Sequence, residues 1–454
     1  MPRVAHEGGS RWRYPRRVNK RRAGRSEPGR PPYRAAAICT PGLEFVCRQE
    51  LADLGCKPKP AGPGTVEFDA NARQLYAANT WLRTASRVVV RVGTFRSTDF
   101  AHLQDRASEI DWSAWLADGV APRFRISSNE SKLYHTKAIA QRLHQVVGPA
   151  STGGPEQLFV IRIDRNTVTV SVDASGEALH HRAWRTDLGD APLRTTMAAA
   201  LLLATQWSAS STLIDPFCGA GTIAIEGALL ARNLPPGGDR TFAFAQWPHF
   251  EPGAWASVAG TVAANATTTL NSAGVILASD RDDEAVAAAK ANAERAGVSD
   301  DIEFETKVVS HIGARTDEGL VATNPPYGKR IGDGDLTGLY RRLGGVVRER
   351  LPGFGLAMIS SDRKLASKTD RALAPLARFR HGGLPVQLLY RPSSQPDPGE
   401  AGPEEPAVER LVEKAVSESV RSDPQPDSRG EVPTPSPAPN QPPHPTTNRP
   451  SRAH

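Results

Sequence analysis

Cysteine is scarce, with four thiols in 454 residues: Cys39, Cys47, Cys56 and Cys218. None shares a C-x-x-C spacing, which argues against a disulfide framework or a cysteine-held zinc, and no metal is expected. No apolar run approaches the roughly 20 residues that a membrane-spanning helix needs. A signal-peptide core is missing too, so the expected setting is the reducing cytoplasm, with no membrane partner. Two phosphate-binding signatures are also absent. The glycine-containing turn "DPFCGAGT", Asp215 to Thr222, has no lysine of the G-x-x-x-x-G-K-[ST] kind. Ile223 and Ala224 follow Thr222, so it is not G-x-G-x-x-G either. NAD and ATP therefore fit less well than a nucleoside without a pyrophosphate. Nothing in the pattern sets an oligomeric state.

Charge is present but unevenly placed. Of 56 Lys/Arg and 49 Asp/Glu, eleven basic residues and only two acids fall in residues 1–34. Such an arm is either a solvated tail or a polyanion-binding extension, RNA being the obvious polyanion. Residues 392–454 hold 15 of the 38 prolines and little aliphatic content, which predicts a disordered acidic tail.

Between these ends the pattern predicts two folded parts. Residues 35–182 read as an α+β binding module. "AAAIC", "TVEFD", "RVVVRVGTF" and "RFRIS" are strand-like, and "YHTKAIAQRLHQVVG" puts Ile139, Leu143 and Val146 on one helical face. "EQLFVIRID" and "TVTVSVDAS" alternate about Arg165-Asn166 as a hairpin would. Basic residues in this half, Lys132, Lys137 and Arg182, are candidates for RNA capture. Residues 188–391 alternate strand and helix, the pattern of a doubly wound, Rossmann-like parallel sheet with its ligands at the carboxyl ends of the strands.

Three strand ends carry the candidate chemistry. In the first turn, Gly219 and Gly221 allow a tight bend and close backbone approach, with Phe217 and Cys218 beside them. Asp215 offers a carboxylate to a cation, and S-adenosylmethionine carries both an ammonium and a sulfonium. Asp280 ends "VILASD", where a carboxylate can accept from ribose hydroxyls. It follows Asp215 by 65 positions rather than about 20, so an insertion intervenes. That insertion, "PPGGDRTFAFAQWPHFEPGAW", reads either as a capping subdomain or as a wall of the substrate cleft. The third strand leaves through "GLVATNPPYG". Pro325 and Pro326 cannot continue a ladder, so Asn324 to Tyr327 form a stiff exit. That exit is either a plain strand-ending turn or a grip for a planar ring bearing an exocyclic amine. In the grip, the Asn324 amide and the Pro325 carbonyl accept its hydrogens, and Tyr327 stacks beneath it.

The order of "LRTTMAAALL", "DPFCGAGTIAIEGA", the Asp280 tip, "TNPPYGKRIG" and "GGLPVQLLYR" resembles THUMP-domain guanine-N2 RNA methyltransferases. The likeness is closest to the N-terminal methyltransferase half of bacterial large-subunit rRNA enzymes of the RlmL type. "SKLYHTKAIAQRL" and "SGEALHHRAWR" look like the THUMP part, behind a ferredoxin-like segment. The resemblance implies S-adenosylmethionine as cofactor, cradled by Asp215, Phe217, Cys218, Gly219 and Gly221, with Asp280 on its ribose. It also implies that Asn324, Pro325, Pro326 and Tyr327 hold a guanine. The expected activity is methylation of a guanine N2 amine in 23S rRNA. A tRNA enzyme and a noncatalytic RNA-binding assembly factor remain alternatives. One departure concerns the adenine contact: where such enzymes often carry an acid, this sequence has Val308, Val309 and Ser310. Cys218 is either a packing residue or a nucleophile.

Overall fold

The computed structural model describes residues 33–186, 193–238, 240–266, 275–326 and 336–393. The basic arm before Tyr33, the Pro-rich tail beyond Ser393, and Tyr327 lie outside the described residues.

The first half is built on β1 (Tyr33–Cys39), α1 (Glu44–Asp53), β2 (Lys59–Pro60), β3 (Thr65–Ala70), α2 (Ala72–Trp81) and β4 (Ala85–Arg96). It continues through α3 (Phe100–Ser108), β5 (Ala121–Asn129), α4 (Thr136–Val147), β6 (Glu156–Asp164) and β7 (Thr167–Asp173). What the sequence reads as two α+β parts shares one seven-stranded sheet, ordered β2-β3-β1-β4-β7-β6-β5. The β4–β7 pairing joins them, and only β5 and β6 run parallel. The β6–β7 hairpin turns at Arg165 and Asn166 with φ of 46° and 61°, the left-handed pair that a two-residue turn needs. Helix α2 starts on a capping box. Asn71 Oδ1 accepts the Gln74 N–H at 2.9 Å, and Gln74 Oε1 accepts the Asn71 N–H at 3.2 Å.

The second half comprises α5 (Thr195–Ala204), β8 (Thr212–Asp215), α6 (Thr222–Ala231), α7 (Pro252–Asn265), β9 (Ile276–Asp280), α8 (Asp283–Arg295) and β10 (Ile302–Thr306). It ends with β11 (Gly319–Thr323), α9 (Leu336–Arg350), β12 (Phe354–Ser360), α10 (Arg363–Thr369), β13 (Ala374–His381) and β14 (Leu384–Arg391). Its sheet runs β10-β9-β8-β11-β12-β14-β13, with β14 antiparallel to both neighbours. From β8 the chain first builds outward through β9 and β10. It then returns to place β11 on the other side of β8. The strand order therefore reverses at β8, where a doubly wound sheet opens its ligand crevice.

The insertion between α6 and β9 does not wall a cleft. Phe242, Phe244, Trp247 and Val258 are buried in the core of the first half. Phe244 stacks on Tyr76 with ring centroids 4.2 Å apart, and Trp247 Nε1 donates to Gln157 Oε1 at 2.9 Å. The cleft-wall reading is thus corrected. The aromatics form a strap that clasps the module, which also accounts for the long gap before Asp280.

A second clasp is ionic. Glu226 on α6 is fully buried and accepts from Arg182 Nε at 3.0 Å, with Arg83 Nη1 approaching its other oxygen at 3.6 Å. Arg182 also donates to the Arg83 carbonyl at 2.9 Å, and Arg83 reaches the Leu229 carbonyl at 3.3 Å. Arg182 is only 4% exposed. The expectation that it captures RNA is corrected: its guanidinium is consumed inside the protein.

Candidate active site at the strand ends

Asp215, the last residue of β8, is 1% exposed. Burial raises its carboxyl to about 8 from an ordinary 3.8. The Phe217 N–H at 3.4 Å opposes that rise, the Asp280 charge adds to it, and the Thr323 hydroxyl opposes it. The turn that follows is fastened to the end of β9. Cys218 N–H donates to the Ser279 carbonyl at 3.0 Å, and Gly219 N–H donates to Asp280 Oδ2 at 3.0 Å. Asp280 thereby shapes the turn with one oxygen while its other oxygen accepts the Asp282 N–H at 3.2 Å. A carboxylate has about four acceptor sites, so capacity for ligand hydroxyls remains.

The two glycines differ. Gly221 has φ +81°, and a Cβ there would sit 3.0 Å from Ala289 Cβ and 3.2 Å from Ile225 Cδ1. It lets α6 pack tightly on α8. Gly219 has φ +49°, yet a Cβ there would meet nothing within 4 Å. Its missing side chain leaves room beside two carboxylates, which suits a ligand. Asn292, fully buried on α8, donates to the Ala220 carbonyl at 3.0 Å and pins the turn from below. Burial, with Asp215 and Asp280 adding, pushes the Cys218 thiol far above its ordinary value. A thiol held protonated is no nucleophile, so Cys218 packs.

On the other side of β8, β11 delivers Thr323, fully buried, and then Asn324. Asn324 Oδ1 is buried and has no hydrogen-bond partner among the described residues. A buried amide oxygen left unpaired costs about 1–3 kcal/mol, and no described residue supplies this one with a donor. The stiff exit is also braced: Tyr340 on α9 donates its hydroxyl to the Pro326 carbonyl at 3.2 Å. The fold thus brings Asp215, Phe217, Cys218, Gly219, Gly221, Asp280, Asn324, Pro325 and Pro326 to the strand ends of one sheet. Lys132 and Lys137 are exposed on the module, flanking the 64%-exposed Tyr134. Thr323, Asn292 and Tyr340 escape sequence reasoning because no motif marks them. Only a buried polar residue on an otherwise apolar helix face hints at Asn292.

The residues present suit S-adenosylmethionine. Two carboxylates face a glycine turn with room for a ligand, and no basic side chain stands in that turn to hold a pyrophosphate.

Comparison with known proteins gives the same answer. Residues 182–381 match the family described as RMKL-like, methyltransferase domain, and residues 34–89 match the RlmL ferredoxin-like domain. The putative RNA methyltransferase YpsC of Bacillus subtilis strain 168 is 32% identical over 77% of this chain and 93% of its own length. The chain belongs to the RMKL-like methyltransferase family. It is a methyltransferase whose cofactor is S-adenosylmethionine. Ribosomal RNA large subunit methyltransferase K/L of Shewanella baltica strain OS195 is 32% identical over 77% of this chain, and the match spans 51% of that protein's length. Among solved structures, SMU.472, a putative methyltransferase complexed with SAH, superposes with a TM-score of 0.74 at 26% identity. That match covers 81% of this chain and all of that one.

Proposed function

We propose that the chain methylates the exocyclic N2 amine of a guanine in large-subunit ribosomal RNA. The observation that carries this reading is Asn324 Oδ1, buried and without a hydrogen-bond partner among the described residues, at the switch point where β11 ends next to β8 and Asp215. Support for RNA, and for rRNA within it, comes from similarity to the K/L enzymes and to the putative RNA methyltransferases. Within the module, we assign the segment from β5 through Arg185 as the THUMP part, with Lys132 and Lys137 on its RNA side.

When bound, the cofactor supplies an electrophilic methyl group. An aromatic amine is a poor nucleophile because its lone pair delocalises into the ring. Asn324 Oδ1 and the Pro325 carbonyl accept its two hydrogens and turn the lone pair out of the ring plane. Tyr327 stacks on the base and fixes the ring. Asp215, ionised once a cationic ligand sits against it, holds the ammonium end of the cofactor, and Asp280 holds the ribose. Positioning and fixed acceptors carry the acceleration, and the surplus proton of the methylated nitrogen leaves to solvent after transfer, so no separate base is needed for attack.

Mass-spectrometric mapping of modified nucleosides in rRNA and tRNA from a deletion strain tests the proposal. Loss of one N2-methylguanosine from 23S rRNA is the expected result. Loss from tRNA would move the substrate, and no loss from either would leave a noncatalytic RNA-binding factor.

A further inference from the structure

Among the described residues, one face of the seven-stranded sheet supplies the hydrophobic core. Val168, Val170 and Val172 of β7 and Phe159, Ile161 and Ile163 of β6 point into the core. Strand alternation sends their neighbours to the opposite face, and those neighbours are repeatedly arginines. Arg96 of β4 pairs in register with Thr167. Arg162 of β6 pairs with Thr169 on one side and Ser127 on the other. Arg125 of β5 stands beside Val160, Arg123 beside Leu158, and Arg34 of β1 beside Asp69. Arg34, Arg96, Arg123, Arg125 and Arg162 are all exposed, as is Lys59 at the edge.

Some of this charge is neutralised. Arg123 contacts Glu156 at 3.1 Å, Arg91 contacts Glu67 at 2.5 Å, and Arg87, mostly covered, is held by Asp173 at 2.5 Å. Arg34, Arg96, Arg125, Arg162 and Lys59 make no ion pair with any described residue. Four strand steps separate β1 from β5, about 19 Å of sheet. At the β2 end the face sinks into a cavity of about 170 Å³, lined by Arg34, Lys57, Lys59 and Arg91 with Glu67 and Asp69.

No aromatic residue of β1 to β7 points to this face. Its strand positions carry Arg, Lys, Thr, Ser, Asn and aliphatic residues, with the acids named above and Asp164, whose carboxylate Arg162 helps to stabilise. Single-stranded nucleic acid is gripped by stacking its bases on aromatic rings, whereas an RNA helix turns its bases inward and presents phosphates and 2′-hydroxyls. A broad, flat, guanidinium-rich surface with hydroxyls between the charges and no ring to stack on complements the second. We infer that the arginine-bearing face of the module sheet, opposite its core, is a docking surface for a helical segment of RNA, which it binds through phosphates without reading sequence. The inference rests on the proposed RNA substrate only for the choice of polyanion.

The test is binding of the full chain to a labelled RNA hairpin of arbitrary sequence, titrated across salt concentration, and compared with Arg96→Gln/Arg125→Gln/Arg162→Gln. Each lost phosphate contact flattens the slope of log affinity against log salt by about 0.9. The triple variant should therefore lose about 2 to 3 units of slope and bind at least about tenfold more weakly at moderate salt. S-adenosylhomocysteine affinity, measured by calorimetry, should not change. The Arg→Lys triple variant should restore most of the slope. If the Gln triple folds poorly, the single changes Arg96→Gln and Arg162→Gln should each remove about one unit. Hairpins of unrelated sequence should bind alike, and a single-stranded oligouridine more weakly. An unchanged salt slope would overturn the inference, as would preference for oligouridine or for anionic lipid vesicles over the hairpin. Loss of hairpin binding in the triple variant, with the unsubstituted protein itself leaving rRNA unmethylated, would sink the proposed activity and keep the surface. Intact rRNA methylation with an unchanged slope would do the reverse.

Discussion

Arg182 Nε lies 3.0 Å from Glu226 Oε1 in the interior, joining the segment after β7 to the helix that begins at the cofactor turn. Glu226 also serves Arg83, whose backbone N–H donates to Glu50 Oε1 at 2.7 Å. One carboxylate on α6 thus balances two guanidiniums delivered by the module. Glu226→Ala would strand both charges in the interior, at a cost of about 3–5 kcal/mol. The expected result is a sharp fall in melting temperature and weaker cofactor binding. Arg182→Ala should likewise lower stability without a selective rise in the KM for RNA. A stable Arg182→Ala protein with a raised KM would return this residue to an RNA-binding role.

The raised Asp215 carboxyl makes pH a probe of the cofactor turn. Its folded value, about 8, exceeds the unfolded 3.8. The free protein therefore binds this proton more tightly than the unfolded chain does. That contribution to stability is complete below about pH 4 and is lost as pH rises toward 8. A cationic ligand favours the ionised form. Cofactor binding should then release a proton below pH 8, and its affinity should climb from pH 6 to pH 8. Calorimetry in buffers of different ionisation enthalpy counts that proton. Asp215→Asn should abolish the release and weaken binding about 10- to 100-fold, the loss of a charged hydrogen bond. Equal proton release by Asp215→Asn would place the titrating group elsewhere.

Gly219 and Gly221 sit two residues apart, both at positive φ, and should respond differently. Gly221→Ala forces a methyl against Ala289 and Ile225, so both stability and cofactor affinity should fall. Gly219→Ala meets no protein atom within 4 Å and carries only the left-handed backbone penalty, about 1–2 kcal/mol. Its loss of cofactor affinity should exceed its loss of stability. Thermal denaturation with and without S-adenosylhomocysteine separates the two, and an undiminished ligand-induced shift in Gly219→Ala would contradict the assignment of Gly219 to the ligand space.

The local pattern of this fold was legible because it depends on neighbours in sequence. Alternation marked β6 and β7, the Arg165-Asn166 turn closed them, and the Asp215–Thr222 turn announced a strand-to-helix switch. What depends on distant partners was not legible. A basic residue at position 182 looks the same whether it faces solvent or a glutamate 44 positions onward. The aromatics from Phe242 to Trp255 are conspicuous, but no periodicity says that their core belongs to the other half of the chain. The arginines of the sheet face opposite the core were hidden within strands whose apolar alternates drew the reading. The strand exit at Asn324 was legible from its two prolines, whereas the Tyr340 brace, 14 residues beyond Pro326, was not.

The Asn324 oxygen gives the strictest test of the proposed chemistry. An acceptor with no partner among the described residues is open to the amine's hydrogen when the base arrives. Its strongest interaction comes as the nitrogen pyramidalises and its hydrogens become more positive. Interactions that strengthen only in the transition state raise kcat rather than ground-state affinity. Asn324→Ala should therefore cut single-turnover methyl transfer about 10²–10³-fold with both substrates saturating, the effect of removing one preorganised polar group. Cofactor affinity should hold, and stability should hold or rise, because the substitution removes a buried acceptor that nothing in the described protein satisfies. Tyr340→Phe, which frees the Pro326 carbonyl, should give a smaller loss of the same kind. At Tyr327, which the sequence assigns to stacking, Phe should preserve the ring face and most of the rate, while Ala should forfeit roughly 1–3 kcal/mol. Near-wild-type turnover by Asn324→Ala, or a loss confined to cofactor affinity, would make this strand exit a structural turn and leave the attacking amine to be held elsewhere.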